Sequence, residues 1–328
     1  MRCEGKVRLA LVGAGGNGEA FLRLYKEEPR CEVAVVCDVD EGRARAAAER
    51  YGVPDWTTDY REAVGGDVDA VSIHTPDRTH AEIAVAAFEA GKHVYCEKPL
   101  ATTVEDVRRM VEAAERSGKV NFVGQVLRFN PFFAKVREMV KEGVIGEPVY
   151  VECDWLGDLR RWRAHPARSY SEPIVGAGVH AVDLVRWVVG EPVRAFAMAT
   201  PRGWEDLPFP ATYAAVYELE GGALAKTAAS FVAVGGHGFA YNLQVRGTKG
   251  AIVRDQFWLR GWRAPATLPF RDEYRIPFEE EVRHFLDCIT EGREPLVTFR
   301  DGGQSALCCI AAVESARRGE PVEVPRLD

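Results

Sequence analysis

The chain has 328 residues, of which 47% are hydrophobic and 28% are charged, and 42 basic residues against 49 acidic ones give a formal net charge of −7. This length is enough for two domains with substantial cores. The negative balance, with no basic block interleaved with aromatics, disfavours nucleic acid or an anionic membrane as a partner and favours a small-molecule substrate.

The first 123 residues alternate strand and helix patterns. Apolar strands are predicted at 6–12, 32–38, 69–74, 93–97 and 120–126, with amphipathic helical segments of about 10–15 residues between them. This alternation predicts βαβ units and therefore an α/β, doubly wound parallel sheet. We assign residues 1–123 to a dinucleotide-binding Rossmann domain.

The rhythm changes after residue 123. Strands are predicted at 149–155, 193–199, 212–219, 223–231, 239–246 and 249–255, and helices at roughly 278–291 and 302–318. Glycine-containing breaks at 220–222 and 247–250 are typical of hairpins. We therefore predict a C-terminal α+β domain over 124–328 with a mostly antiparallel open sheet. Because one apolar face of that sheet lacks covering helices, we expect a homodimer or homotetramer formed through it.

The chain carries a glycine motif where a nucleotide would bind. Gly13, Gly15 and Gly18 satisfy G-x-G-x-x-G between the first predicted strand and a helix, which is the context that the motif requires. A pyrophosphate is expected at the helix N-terminus. Asp38 ends the second strand and would accept hydrogen bonds from the ribose, which favours NAD over NADP, although Asp40 is a competing candidate.

A second motif, Glu97-Lys98-Pro99, follows the strand predicted at 93–97. Ligands of open α/β sheets bind beyond the carboxyl ends of the strands, so Lys98 is expected near the nicotinamide. There a lysine with a lowered pKa could take the proton of an alcohol during its oxidation, with Glu97 orienting the ammonium. The simpler alternative is a solvated lysine that happens to follow a strand.

Longer motifs identify a family. They are GAGGNG at 13–18, CD at 37–38, HTPDRTH at 74–80, AGKHVYCEKPLA at 90–101, RFNP at 128–131 and DGGQSALCCIAAVESARRGEPVEV at 301–324. Together they resemble the Gfo/Idh/MocA oxidoreductases over essentially the whole chain. The resemblance implies that Lys98 is catalytic and that the Lys98–Pro99 bond is cis. The implied cofactor contacts, beyond the motif glycines, are Gly16, Asn17, Asp38, Thr75, Pro76, His80, Glu97 and Lys98.

The resemblance also indicates the substrate side of the site. Trp162, Arg163 and Pro166 match a family W-R-x-x-P pattern, and Gly178, His180 and Asp183 match part of D-x-G-x-H-x-x-D. His180 is expected to assist Lys98 or to bind a substrate hydroxyl. The proposed substrate contacts are Lys98, Arg128, Trp155, Arg163, Tyr170, His180 and Asp183. Buried packing is an equally good account of Trp155.

Two departures from the family pattern concern the same region. Tyr170-Ser171-Glu172-Pro173 replaces a glycine cluster, which predicts a substrate pocket of altered shape. Gly176 stands where the family has an aspartate four residues before the histidine. Without that carboxylate the imidazolium of His180 is less favoured, and Asp183, one helical turn on, could partly substitute.

Three functions follow from these patterns. The first is an NAD-dependent dehydrogenase acting on a secondary alcohol of a sugar, inositol or related polyol. The second is a redox-neutral, glycoside-cleaving enzyme that uses NAD transiently, and the third is a non-catalytic NAD-binding sensor. Gly176 leaves room for both alternatives, whereas the intact Glu97, Lys98 and His180 oppose the sensor.

The remaining expectations concern metals and the compartment. The eight cysteines form no C-x-x-C pair, and His74 and His80 lack cysteine or acidic companions, so no metal is expected. Neither a secretory leader nor a membrane-length apolar run is evident, and unpaired cysteines suit a reducing setting, so we expect a cytoplasmic protein.

Overall fold

The computed structural model describes residues 5–160, 171–235, 242–269 and 276–327, and its chain divides into two compact units. The first comprises Met1–Gly124 with Phe278–Gly303, and the second comprises Gln125–Pro277 with Gln304–Asp328. The segment 278–303 had been predicted to lie in the second domain. It packs in the first unit instead. The rings of Phe278 and Phe21 are in contact, with 5.2 Å between their centroids, and the Val297 carbonyl oxygen accepts a hydrogen bond from Val123 N at 3.0 Å.

The first unit is built on a six-stranded sheet with the order β3-β2-β1-β4-β5-β6, and every neighbouring pair is parallel. Its strands are β1 (Val7–Val12), β2 (Cys31–Cys37), β3 (Asp55–Thr57), β4 (Ala70–Ile73), β5 (His93–Cys96) and β6 (Asn121–Val123). Its helices include α1 (Gly16–Glu27), α2 (Glu41–Tyr51), α3 (Tyr60–Gly65), α4 (His80–Glu89) and α5 (Val104–Ser117). The predicted doubly wound sheet is confirmed. Its strand order reverses between β1 and β4, the position at which such sheets bind ligands.

Local signals fix the limits of these helices. Asp40 and Thr103 cap α2 and α5, each accepting a backbone N–H from three residues further along the chain. Gly52 and Gly118 end the same helices with φ of 61° and 62°, the left-handed conformation that glycine adopts without steric cost. Apolar strands fill the centre of the unit, where Leu9, Leu11, Val36, Val71 and Val94 are completely buried.

The second unit is built on a mixed sheet in which most neighbours are antiparallel. The order is β15-β14-β13-β12-β7-β11-β10-β9-β16, with β8 also pairing with β11, and only the β7 and β8 pairings with β11 are parallel. Its elements are α6 (Pro131–Lys141), β7 (Pro148–Glu152), β8 (Trp155–Leu156), α7 (Pro173–Gly176), α8 (Val179–Val188), β9 (Pro192–Thr200), β10 (Thr212–Leu219), β11 (Leu224–Ser230), β12 (Gln244–Gly247), β13 (Gly250–Val253), β14 (Gln256–Leu259), β15 (Ala266–Thr267) and β16 (Val322–Glu323). Helix α9 (Phe278–Glu291) belongs to the first unit, and α10 (Phe299–Arg318) contains the boundary at Gly303.

The two predicted hairpins of this sheet are present. Residues 220–223 join β10 to β11, and residues 248–249 join β12 to β13, and both pairs are antiparallel. The strand predicted from 239 begins at Gln244, and residues 239–241 lie outside the described part. Along β10 the side chains alternate, with Tyr213 and Tyr217 buried and Val216 exposed, so only one face of the strand packs into the unit.

The described cysteines are all buried free thiols. Burial raises the pKa of Cys31 and of Cys37 to about 12, so these groups act as small apolar side chains. Among the helices of the described ranges, none combines the length and the apolar composition that crossing a bilayer requires.

Candidate active site

The glycine loop between β1 and α1 has the shape that a dinucleotide needs. Gly13 has φ +98°, and a Cβ there would lie 2.6 Å from the carbonyl carbon of His74. A Cβ at Gly18 would overlap the carbonyl oxygen of Gly13, so both positions exclude a side chain. Gly15, in contrast, faces open space and forms the N-cap of α1 without a side-chain hydrogen bond. The first N–H groups of α1 are thus available to a pyrophosphate.

Asp38 lies beside this loop at the end of β2 and is 7% exposed. Its Oδ2 accepts from Ala14 N at 2.9 Å, and its Oδ1 accepts from Asp40 N at 2.9 Å and from Arg43 Nη2 at 2.7 Å. The carboxylate therefore ties the glycine loop to the start of α2. A carboxylate at this position could accept a ribose hydroxyl, while the neighbouring guanidinium is a group able to contact a 2′-phosphate.

His80 connects the loops that follow β4 and β5. Its Nε2 lies 2.9 Å from the Thr75 carbonyl oxygen and its Nδ1 lies 2.9 Å from the Pro99 carbonyl oxygen. The side chain of Thr79 also bonds Thr75 Oγ1 at 2.8 Å and the Pro76 carbonyl oxygen at 2.7 Å. His80, predicted from the resemblance to touch the cofactor, is fully buried and braces the backbone of both loops.

The Glu97-Lys98-Pro99 segment follows β5 at the same edge of the sheet, and the Lys98–Pro99 bond is cis. The Glu97 carboxylate is 8% exposed and accepts from Tyr95 Oη at 3.2 Å and from Lys98 N at 3.3 Å. Burial raises the pKa of Glu97, while the charge of Lys98 and a hydrogen bond with Asn17 oppose that rise. Lys98, half-buried, thus has a carboxyl group as its electrostatic neighbour.

A buried polar cluster lies behind this segment, and the sequence interpretation missed it. Tyr95 Oη is 3.0 Å from Glu281 Oε2, and burial, reinforced by the charge of Glu97, raises the pKa of Glu281 well above its usual range. A signal existed in α9, where Glu281, Phe285 and Cys288 recur at helical spacing along the buried face, so that a carboxyl group interrupts an apolar stripe. The cluster places a proton-holding carboxyl two hydrogen bonds from Glu97.

His74 extends the cluster toward β1. Its Nε2 lies 2.8 Å from Ser72 Oγ, which in turn lies 3.0 Å from Tyr25 Oη. Burial, and then the charge of His80, lowers the pKa of His74 to about 3, so its ring is neutral at physiological pH. The ring stacks on Tyr95 with 5.5 Å between centroids, which makes His74 a packed core histidine. No group of three or more potential metal ligands occurs within the described ranges.

His180 lies in the first turn of α8 in the second unit and is 7% exposed. Its Nδ1 is 3.0 Å from Oε1 of Gln125, a residue that no sequence motif had singled out. Asp183, predicted as a possible partner of His180, instead accepts from Arg128 Nε at 2.9 Å and Nη2 at 2.8 Å and from Ser305 Oγ at 2.8 Å. Two nitrogens of the Arg128 guanidinium thus donate to the two oxygens of the Asp183 carboxylate, so this face of the guanidinium is directed at Asp183.

The other predicted substrate contacts are partly outside the described residues. Arg163 and Tyr170 lie there, together with the matching Trp162 and Pro166. Trp155 is 8% exposed, and its ring packs edge-on against Phe231 with 5.9 Å between centroids. Packing in the sheet therefore accounts for Trp155.

Two family models match the chain. One, described as an oxidoreductase family with an NAD-binding Rossmann fold, matches residues 7–125, and one described as the GFO/IDH/MocA C-terminal domain matches residues 133–253. Fold and glycine loop thus define an NAD-binding oxidoreductase. The chain belongs to the Gfo/Idh/MocA family, as its motifs had predicted, and it is an NAD-dependent dehydrogenase of that family.

Similar proteins cover nearly the whole chain. It is 28% identical to scyllo-inositol 2-dehydrogenase (NAD(+)) of Bacillus subtilis strain 168, over 98% of this chain and 97% of that protein. It is 32% identical to inositol 2-dehydrogenase 2 of Saccharopolyspora erythraea, over 97% and 96%. A solved structure of levoglucosan dehydrogenase with NADH and levoglucosan is 26% identical, with a TM-score of 0.86 over 98% of this chain and 100% of that one.

Proposed function

We propose that the chain transfers a hydride between NAD and a secondary alcohol of a sugar, an inositol or a related polyol. The observation that carries this proposal is the position of Lys98, directly after β5 at the carboxyl edge of the parallel sheet and beside the buried Glu97. Relatives named as inositol and levoglucosan dehydrogenases support the substrate class. The first of the three functions predicted from the sequence is therefore the one we adopt.

The cofactor site is assigned to residues of the first unit. The uncapped start of α1, formed by Gly15, Gly16, Asn17 and Gly18, suits the pyrophosphate, with Gly13 allowing the turn. Asp38 suits the ribose, and Thr75, Pro76, His80 and Glu97 shape the loops beyond β4 and β5. When bound, NAD supplies the hydride acceptor or donor, and the protein residues supply orientation and proton transfer.

Proton transfer is assigned to Lys98 and His180. Lys98 takes the alcohol proton when the alcohol is oxidised and returns it when the carbonyl is reduced. The neighbouring carboxyl group of Glu97 stabilises the ammonium that results. His180, presented from α8 with Gln125 beside its ring, assists by binding or relaying the proton of a substrate hydroxyl.

The redox-neutral and sensor alternatives depend on Gly176, which stands where the family has an aspartate. The contact between His180 and Gln125 gives that histidine a polar partner, even though Gly176 offers no side chain. This observation favours a working proton-transfer site over a vestigial one. Cleavage of a nitrophenyl glycoside without net NADH would point to the redox-neutral enzyme, and binding without turnover would point to the sensor.

The test is NADH formation followed by near-ultraviolet absorbance, with purified protein, NAD or NADP, and a panel of inositols, aldoses and sugar acids. We expect NAD-dependent turnover of at least one polyol, abolished in Lys98→Ala. A panel that stays flat although NADH binds would contradict the proposal.

We further propose that copies of the chain associate through the C-terminal sheet as a homodimer or homotetramer in the cytoplasm. Phe196, Met198, Val216 and Leu224, on the adjacent strands β9, β10 and β11, are 44%, 71%, 45% and 48% exposed. Phe196 and Val216 are register partners and Met198 lies opposite Ala214, so β9 and β10 present neighbouring apolar side chains. Buried, unpaired cysteines suit a reducing compartment.

A further inference from the structure

Gln125 is buried at the start of the second unit, immediately before the 3-10 turn Val126–Phe129, and is only 1% exposed. Its Oε1 lies 3.0 Å from His180 Nδ1. An amide oxygen only accepts hydrogen bonds, so this contact requires a proton on Nδ1. The neutral imidazole then has its lone pair on Nε2, the nitrogen on the far side of the ring from Gln125.

Among the described residues, the other end of the same side chain has no hydrogen-bond partner. Gln125 Nε2 is buried and makes no hydrogen bond to any residue in the described ranges. Leaving such a donor unpaired costs about 1–3 kcal/mol, so native proteins rarely do so without a functional reason. An amide N–H₂ group donates two hydrogen bonds, and the oxygen atoms of a polyol are suitable acceptors.

We propose that Gln125 is a positioning and specificity residue: its amide oxygen holds His180 with Nδ1 protonated, and its amide N–H₂ donates to an oxygen of the bound polyol. The second half of this proposal rests on the proposed function. One side chain would then link substrate binding to the orientation of the histidine. Because the partner is a neutral amide, it fixes the ring without the stabilisation of the imidazolium that a carboxylate would add.

Most of the described charged groups near α8 have partners other than His180. The elements that pack against α8 include the 3-10 turn, α6, α7 and β11, and Ser305 of α10 contacts both Asp183 and Arg186 of α8. In the 3-10 turn, Arg128 bonds Asp183. Helix α6 carries Lys135 and Glu138, which bond each other, Arg137, which bonds the Trp187 carbonyl, and Lys141. In β11, Lys226 bonds Glu152 and Asp154. On α8 itself, Asp183 bonds Arg128 and Arg186 bonds Glu191. Gln125 contacts the His180 ring directly, so substituting Gln125 alters the environment of that histidine.

The first test needs no turnover. Nitrogen NMR of the NADH-loaded protein, with His180→Asn to assign the signal, should show the Nδ1–H tautomer in the neutral ring. Gln125→Glu places a carboxylate at the same distance and should raise the His180 pKa by about one unit or more, whereas the uncharged Gln125→Leu should not raise it. An Nε2–H tautomer in the wild type, or an unmoved titration in Gln125→Glu, would overturn the positioning role.

The second test concerns the amide N–H₂ group. Gln125→Glu and Gln125→Leu both remove this donor, so KM for the polyol, or Kd where it binds without turnover, should rise about three- to tenfold in both. Only Gln125→Glu should also shift the acid limb of the pH profile of kcat/KM to higher pH. Unchanged KM and Kd in a variant with wild-type urea unfolding would overturn the donor role. If no polyol binds the wild type, the proposed function fails, and the titration alone still decides the positioning role.

Discussion

The Tyr95 hydroxyl lies 3.0 Å from Glu281 Oε2, and the same hydroxyl lies 3.2 Å from Glu97 Oε1. One hydroxyl hydrogen serves only one of these carboxyl groups, so the other contact needs a proton from the carboxyl side. Glu281 is completely buried and its pKa is raised well above the usual range, first by burial and then by the charge of Glu97. Glu281 is therefore the carboxyl group that stays protonated.

This protonation predicts how stability depends on pH. The folded chain keeps a proton on Glu281 that the unfolded chain releases above about pH 4.3, so its contribution is full below that pH. The contribution falls as pH rises toward the raised folded-state pKa, by up to about 1.4 kcal/mol per pH unit. Glu281→Gln, which cannot ionise, should lose this slope when urea unfolding is compared between about pH 5 and 8.

The matched control for that experiment is Glu279→Gln, an exposed position in the same helix with the same change of charge. It should keep the wild-type slope. Equal slopes in the two variants would mean that Glu281 is ionised in the folded protein, contrary to our conclusion. The protonated-acid carbonyl band in the infrared spectrum, lost only in Glu281→Gln, is an independent check.

Lys98 should be required for turnover and dispensable for cofactor binding. Lys98→Ala removes the proton acceptor, and Lys98→Arg keeps the charge but cannot accept a proton near neutral pH. Both should lower kcat about a hundredfold or more. NADH fluorescence titration should show Kd changed far less. Lys135→Ala, which removes a lysine from a surface ion pair, is the control and should leave kcat unchanged. Near-normal turnover in Lys98→Arg would exclude proton transfer by Lys98.

Asp38 should determine the choice between NAD and NADP. In the wild type its carboxylate holds Arg43 Nη2 at 2.7 Å and repels a 2′-phosphate. Asp38→Ser releases this guanidinium, and the ratio of kcat/KM for NADP to that for NAD should rise about tenfold or more. Asp40→Ser removes the carboxylate, keeps a side-chain oxygen able to cap α2 and leaves Asp38 in place, so it should leave the ratio near the wild-type value. A larger shift in Asp40→Ser would make Asp40 the ribose contact.

Asp183 should contribute mainly to the stability of the folded protein. It forms a two-point contact with Arg128, and both side chains are nearly fully buried. Asp183→Asn leaves a buried guanidinium without its anion and should lower the free energy of unfolding by about 3–5 kcal/mol. Glu138→Gln, at the surface pair with Lys135, should cost at most about 1 kcal/mol. A rise in KM with unchanged unfolding would instead support the substrate contact predicted from the sequence.

The exposed face of β9, β10 and β11 should be needed for association. Phe196→Glu together with Met198→Glu places two charges on that face and should convert the oligomer to a monomer at micromolar concentration in light scattering. Val39→Glu is the control, because Val39 is 88% exposed in the first unit. It should leave the mass unchanged. A wild-type monomer, or a double variant that still associates, would contradict the proposed interface.

The sequence predicted well where a local pattern determines the structure. The parallel sheet, the glycine loop and the family followed from periodicity and from contiguous motifs such as residues 90–101. The cofactor followed for the same reason, because a nucleotide-binding loop is built from neighbouring residues. The predicted limits of α9 also agree with the structure, since a helix at roughly 278–291 was predicted and α9 spans Phe278–Glu291.

Contacts between distant residues could not be predicted in the same way. Gln125 meets His180 across 55 positions, and Tyr95 meets Glu281 across 186. No motif contains either pair, and the sequence offered Asp183 as a possible partner of His180 because it is one turn away on the same helix. In the folded chain Asp183 pairs with Arg128 instead. A buried guanidinium without a carboxylate partner is more costly than a neutral imidazole without one.

The sequence by itself thus determined the class of protein, its cofactor and the lysine that we expect to move the proton, because each depends on short-range patterns of side-chain size, charge and backbone freedom. Only the tertiary structure decided which unit receives α9, which carboxyl group stays protonated and which side chain holds His180. Those outcomes depend on burial, and burial brings together polar groups that the chain keeps far apart.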